Sequence, residues 1–292
     1  MTEPLAMMAN LAILTFVLTS MVSMGLSLTV TQILEPLKNL GLVAQALLAN
    51  FVLAPLAAWG IAELVGLSDS TALGLIVVGS AAGTPILPKL AQMAKGDVAY
   101  AVGLMTLLMV VTVAFIPLVL GSLIESVEVS AWEIAKPLLL GLLLPLGLAL
   151  VVRARYDETK NIVPGLNQIS AMALILGAVL AIVLVMPTLI ESFGTGAYIA
   201  LILFVVATLA AGYLLGGKDR STRVVTVLGT AQRNLSAALL IATTSFAGDG
   251  EVFVMVMLAS VVMLLVLLPL AAELGRRASA PQRKCTDVST DR

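Results

Sequence analysis

Long apolar runs separated by short polar clusters make up most of the chain, and the lengths of the runs predict the elements. About 20 apolar residues span a hydrocarbon core, and the uncharged stretch 4–34 has room for a first spanning helix within Leu5–Leu28. No Lys or Arg precedes it, which speaks against a signal-peptide n-region. Further spans are predicted over Leu42–Leu64 (second, with Asn50 and Pro55 inside), Val98–Leu123 (fourth) and Ala135–Val152 (fifth). The sixth falls within 161–190, the seventh within 192–217, and the ninth over Val252–Leu274. Two spans are interrupted. The third begins near Ser70 and breaks over Gly83–Pro88, because two prolines three apart cannot both occupy a regular helix interior. The eighth, Val224–Phe246, is interrupted by Gly229, Thr230, Gln232, Arg233 and Asn234. The expectation is an all-α polytopic membrane protein of nine transmembrane helices in one domain, residues 1–275. Residues 276–292 are polar, contain Pro281 and lack apolar periodicity, and read as a disordered cytoplasmic tail.

Composition narrows the function classes. With 60% hydrophobic and 11% charged residues, and a mean hydropathy of +1.09, the chain has no polar shell for a water-soluble globule. The net charge of −1 and scattered basic residues give no nucleic-acid surface. Histidine is absent, and the one cysteine, Cys285, lies in the polar tail. The commonest general base, metal ligand and nucleophile are therefore missing from the membrane portion, so no enzyme, metal or cofactor is expected. No Gly-rich Lys motif for ATP is present either, which speaks against a primary pump.

Charge also predicts orientation, since Lys and Arg gather on the cytoplasmic side. Lys38, Lys95, Arg153, Arg155, Lys160, Lys218, Arg220 and Arg223 fall in alternate loops, and Arg276, Arg277, Arg283, Lys284 and Arg292 in the tail. The opposite loops hold Lys136 among Glu63, Asp69, Glu125, Glu128, Glu133, Glu191, Asp249 and Glu251. The amino terminus is expected outside and the carboxyl terminus inside, in a cell membrane.

Candidate chemistry concentrates at the two interruptions. Gly83-Thr84 leads within a few residues to Lys89, and Gly229-Thr230 to Arg233; each pair is followed by a Gly-Asp, at Gly96-Asp97 and Gly248-Asp249. The predicted topology puts these Gly-Asp pairs on opposite sides, as in an inverted repeat, and interrupted helices in separate halves point to a transporter's substrate site. A charge at membrane depth is costly enough to be paired, hydrated or used.

Several segments carry a family resemblance. Met24-Gly25-Leu26-Ser27-Leu28-Thr29, the run Asn50-Phe51 through Pro55 to Ala58-Trp59, the stretch Gly74–Asp97 ending in Ala94-Lys95-Gly96-Asp97, and Gln232 together resemble the bile acid:sodium symporter family. The resemblance implies two crossed broken helices in a core of helices 2, 3, 4, 7, 8 and 9, moving against a panel of helices 1, 5 and 6. It also implies sodium sites, from which this chain departs. The ion-ligand positions read Leu87, Pro88, Ala101, Met105 and Leu228, with Asn50 and Gln232 still polar.

Lys89 and Arg233 are therefore expected to stand in for the missing ions and to complement an anionic substrate, with Thr84, Thr230, Gln232, Asn234 and Asn50 around it. Arg suits a planar carboxylate and Lys acts as a mobile point charge; a desolvated Lys89 also leaves proton coupling open. The competing readings are a Lys89 or an Arg233 that snorkels to the surface, prolines that only kink a packing helix, and Asn50, Thr84, Thr230, Asn234 and Ser236 that only satisfy freed backbone groups. The expected function is secondary transport of a small organic anion, a carboxylate or bile-acid-like solute, by alternating access without sodium. The alternatives are a sodium-coupled symporter and a channel or sensor on a transporter scaffold. With 4% aromatic residues there is no sign of a cage for a large ring system. Lipid-facing and partner-facing apolar surfaces read alike, so no oligomeric state is assigned.

Overall fold

The computed structural model describes residues 2–29, 31, 38–123, 132, 136, 138–191 and 194–279. Glu125, Glu128 and Glu133 of the predicted loops, the start of the fifth span, and residues 280–292 of the tail lie outside them. Among the described residues the secondary structure is entirely helical. Six helices are long and apolar enough to cross a membrane: Met7–Ser27, Leu40–Val65, Val98–Val119, Ala197–Leu215, Arg220–Thr244 and Gly250–Ser279.

The first helix, α1 (Thr2–Ser27), is continuous. The second span is α2 (Leu40–Leu48), a π-helical turn at Ala49–Leu53, and α3 (Ala54–Val65). The widened turn precedes Pro55, whose ring would otherwise clash with the carbonyl four residues back and which has no N–H to donate. The same arrangement recurs at Leu139–Leu143, just before Pro145 at the start of α7 (Leu144–Arg155).

The region predicted as the third span holds α4 (Asp69–Ser80) and the short α5 (Leu87–Met93), and that predicted as the fourth is α6 (Val98–Leu123). The break lies two residues earlier than the prolines suggest. Ala81 is already extended (φ −86, ψ 94), Gly83 takes φ +81, and Pro88 sits inside the first turn of α5. There a missing N–H costs nothing, because the first helical amides have no partner in the helix.

A 3₁₀ turn at Asp157–Ile162 leads into α8 (Val163–Glu191), followed by α9 (Ala197–Leu215). The region predicted as the eighth span holds α10 (Arg220–Ala231) and α11 (Leu235–Thr244). Here the break is narrower than the polar run: Gly229 and Thr230 stay in the last turn of α10, and only Gln232, Arg233 and Asn234 leave the helix. Asp219 caps α10, accepting from the amides of Ser221 and Thr222, and these bonds with the Ser221 hydroxyl hold its carboxyl below the usual carboxylate range. The last helix, α12 (Gly250–Ser279), runs past the predicted end at Leu274. Arg276 and Arg277 there pair with Glu273 one turn back, at 3.1 and 2.8 Å.

Two bundles result. α1 lies along α8 and α7, closely enough at Gly25 that a β-carbon would meet Ala149 Cβ at 2.5 Å. The other bundle joins α3, α4, α9, α10 and α12 with α5, α6 and α11. The bundles meet chiefly through α8 with α12 and α1 with α11.

The predicted charge segregation is visible in the contacts at the two ends. At one end Arg220 Nη2 donates to Leu274 O (2.8 Å) and Asp97 N to Ser221 O (3.2 Å), which gathers Lys95, Lys218, Arg220, Arg223, Arg276 and Arg277 on one face. At the other, Ser68 donates to Glu251 (2.6 Å) and Ser70 to Asp249 (2.6 Å).

Candidate substrate site

The two broken helices enter from opposite faces, α4 from the acidic end and α10 from the basic end, and their breaks touch. Asn234 N donates to Ala81 O at 2.8 Å, and Asn234 Nδ2 donates to Gly83 O at 3.0 Å. Its Oδ1 meanwhile accepts from Ala237 N (3.1 Å), capping α11. On the other side of the first break, Thr112 of α6 accepts from Ala82 N (2.9 Å) and donates to Ala82 O (3.0 Å). Backbone groups freed by a break at membrane depth must find partners inside the protein. Here neighbouring side chains supply them.

Arg233 is fully buried, and all five of its N–H donors are directed to protein oxygens. Nε meets Val78 O (3.2 Å); Nη1 meets Asn50 Oδ1 (2.7 Å) and Thr230 O (3.1 Å); Nη2 meets Asn50 O (3.3 Å) and Gly79 O (2.6 Å). Asn50, placed in the π-helical turn, completes the arrangement by donating to Ala46 O (2.9 Å) and Thr230 Oγ1 (3.2 Å). Four of the predicted site residues, Asn50, Thr230, Arg233 and Asn234, thus form the knot that ties the breaks together. They do not line the neighbouring cavity.

The other three do. A cavity of about 650 Å³ lies between the two bundles, walled by α1 and α8 on one side and by α6, α12 and both breaks on the other. Thr84, Lys89 and Gln232 line it, together with Ser236. Lys89 is exposed and is the charged side chain among the described lining residues. Gln232 is 1% exposed, yet its Oε1 has no hydrogen-bond partner among the described residues. An unpaired buried amide oxygen is costly, and this one belongs to a side chain at the cavity wall. Thr84, Lys89, Gln232 and Ser236 therefore converge on one space.

The positions where the resemblance led to ion ligands hold hydrocarbon. Leu87, Ala101, Met105 and Leu228 are buried in one apolar core, and Leu87 packs so closely on Gly229 that a β-carbon there would meet Leu87 Cδ2 at 2.9 Å. Pro88 is half-buried at the cavity wall.

Sequence reasoning missed the opposite wall. Ser20, Ser23 and Ser27 of α1 face the cavity, and Ser23 Oγ donates to Asn167 Oδ1 of α8 at 2.6 Å. Their spacing of three and four residues, one face of an apolar helix, was the available signal. Thr112, buried in α6, left no such trace.

The model of the Sodium Bile acid symporter family matches residues 13–192, which include the first broken helix. A protein of Arabidopsis thaliana described as "Probable sodium/metabolite cotransporter BASS3, chloroplastic" is 26% identical over 241 residues, covering 79% of this chain and 55% of that protein. The chain spans about half the length of the curated relative it matches.

Proposed function

We infer that this chain, which belongs to the Sodium Bile acid symporter family, is a secondary transporter that moves a small organic anion across a membrane by alternating access, without sodium. The observation that carries the reading is Lys89, an exposed cation with no acidic partner among the described residues, in a cavity between two bundles. A bare cation facing a mostly apolar cavity favours an anionic occupant, and Gln232, Thr84 and Ser236 offer it hydrogen bonds. The amino-terminal end of α11, at Leu235 and Ser236, adds partial positive charge on the same wall.

In this reading α1, α7 and α8 are the panel and the remaining helices the core. Nine spans follow once three are added to the six that are long and apolar enough by themselves. These are the broken pair α4 and α5, the span ending in α7, and α8, whose 15-residue apolar stretch Val163–Gly177 is short by itself. The two broken helices, entering from opposite ends, make the inverted repeat. The basic face is cytoplasmic by the positive-inside rule, with the amino terminus outside. Transport without sodium is supported by the hydrocarbon at Leu87, Ala101, Met105 and Leu228. Sodium coupling is the second reading, favoured by the relative's description as a sodium/metabolite cotransporter.

The test is uptake of a panel of radiolabelled organic anions by purified protein in liposomes, with sodium, choline or a proton gradient outside. The expected result is saturable uptake with counterflow, indifferent to sodium and lost in Lys89→Ala. Flux that neither saturates nor shows counterflow means a channel. Uptake that requires sodium removes the ion-free reading, and intact uptake in Lys89→Ala removes the role of Lys89.

A further inference from the structure

The surroundings of Arg233 are unusual for a buried ionic group, because no carboxylate among the described residues takes part. Its five donors meet five different oxygens: the backbone carbonyls of Asn50, Val78, Gly79 and Thr230, and the side-chain Oδ1 of Asn50. Buried charges in proteins are ordinarily paired with an opposite charge. This one is balanced by dipoles alone.

The source of those dipoles is the fold. Val78 and Gly79 lie in the last turn of α4, and Thr230 in the last turn of α10. The carboxyl-terminal end of a helix carries about −0.5 elementary charge from its unpaired carbonyls. Two such ends converge here from opposite faces of the molecule, and the π-helical turn at Ala49–Leu53 adds the carbonyl and amide oxygens of Asn50 to the same point. Closely grouped oxygens of this kind repel one another and need a cation between them. Five neutral oxygens round the rim of one planar group, drawn from helix ends and a π-helical turn, are the kind of neutral donor set with which proteins hold a cation.

We propose that the oxygen cage of Asn50, Val78, Gly79 and Thr230 is a cation site whose resident cation is the guanidinium of Arg233, attached to the chain and so not exchangeable. The broken helices cross here because that cation is always present. A guanidinium fits where an ammonium does not, since its planar fork presents five donors in fixed directions, whereas Lys has three on a compact head. The proposal goes beyond the transport reading: its test reads stability, so either can fail while the other stands.

The experiment removes the attached cation and offers free ones. Purified Arg233→Ala and wild-type protein are followed through thermal unfolding with millimolar guanidinium chloride, sodium chloride or choline chloride at matched ionic strength. The expected result is that Arg233→Ala unfolds at a lower Tm than wild type. Guanidinium or sodium, but not choline, then raises that Tm saturably, by about 3 °C at roughly tenfold over the dissociation constant. Wild type, its cage occupied, shows no such rise. A folded Arg233→Ala that responds alike to all three salts overturns the proposal. If Arg233→Ala does not fold, Arg233→Lys decides. A Tm several degrees below wild type is then expected, and a Tm equal to wild type shows that a forked cation is not required and overturns the assignment.

Discussion

The backbone amide of Asn234 donates to the carbonyl of Ala81 at 2.8 Å, joining the break of the second interrupted helix directly to that of the first. Residues 153 positions apart thereby satisfy each other where neither helix can, and Asn234 adds its own side chain on both sides of the joint. The crossing is a hydrogen-bonded unit, and its parts differ in what their removal does.

Asn234→Ala removes the cap on Ala237 N and the bond to Gly83 O together. A lost cap costs about 1 kcal/mol, and an unpaired buried carbonyl about 1–3 more. The expected outcome is a loss of about 2–4 kcal/mol, read as a lower thermal midpoint in detergent. An unchanged midpoint speaks against a structural role for this side chain.

Thr112→Val keeps the shape of a buried side chain and deletes one hydroxyl. That hydroxyl serves both Ala82 N and Ala82 O, so two buried backbone groups lose their partner at once. We expect destabilisation of about 2–4 kcal/mol, out of proportion to the single atom exchanged. Stability within about 0.5 kcal/mol of wild type, the usual range for a surface substitution, shows that water takes the hydroxyl's place.

Gln232→Leu is expected to behave in the opposite way. The Gln232 amide is buried at the cavity wall and Oε1 has no partner among the described residues, so exchange for an apolar side chain of similar size costs that oxygen no hydrogen bond and removes an unpaired polar group. The midpoint should stay equal or rise while anion uptake falls at least tenfold. Loss of uptake together with loss of stability assigns Gln232 to the fold.

Gly83→Ala tests the close approach of the first break to α6. Gly83 takes φ +81, and a β-carbon there would lie 2.3 Å from Met109 N and 2.7 Å from Met105 O. Backbone strain of about 1–3 kcal/mol adds to a clash with atoms that cannot rotate away. The variant should fold poorly or lose several degrees in midpoint, and a wild-type midpoint means that α6 can shift to make room.

Much of the site was legible at the level of residue type. Interruptions around Gly83 and around Arg233 stand out against hydrocarbon because polar groups at membrane depth are costly, and the structure does bring the two together. Thr84, Lys89 and Gln232 line the cavity. Asn50, Thr230, Arg233 and Asn234 are spent within the protein. Nothing in the linear chain separates these groups, since Arg233 and Lys89 are each a lone cation a few residues beyond a Gly-Thr pair. The serines of α1 and Asn167 escaped attention because a small hydroxyl in an apolar helix commonly bonds its own backbone, as Ser27 does to Met24 O.

By itself the sequence determined the helical, membrane-spanning character of the chain, the places where two helices break, and the sorting of charge to opposite ends. Each follows from local physical chemistry: the length of apolar runs, the missing N–H of proline, and the cost of charge in hydrocarbon. Only the tertiary structure decided which polar side chains face the cavity and which hold the crossing. That choice depends on where oxygens more than a hundred residues away arrive in space. Arg233 is enclosed because the ends of α4 and α10 and the turn at Asn50 bring five acceptors to its fork. Lys89 stays exposed at the cavity because no acidic side chain among the described residues reaches it.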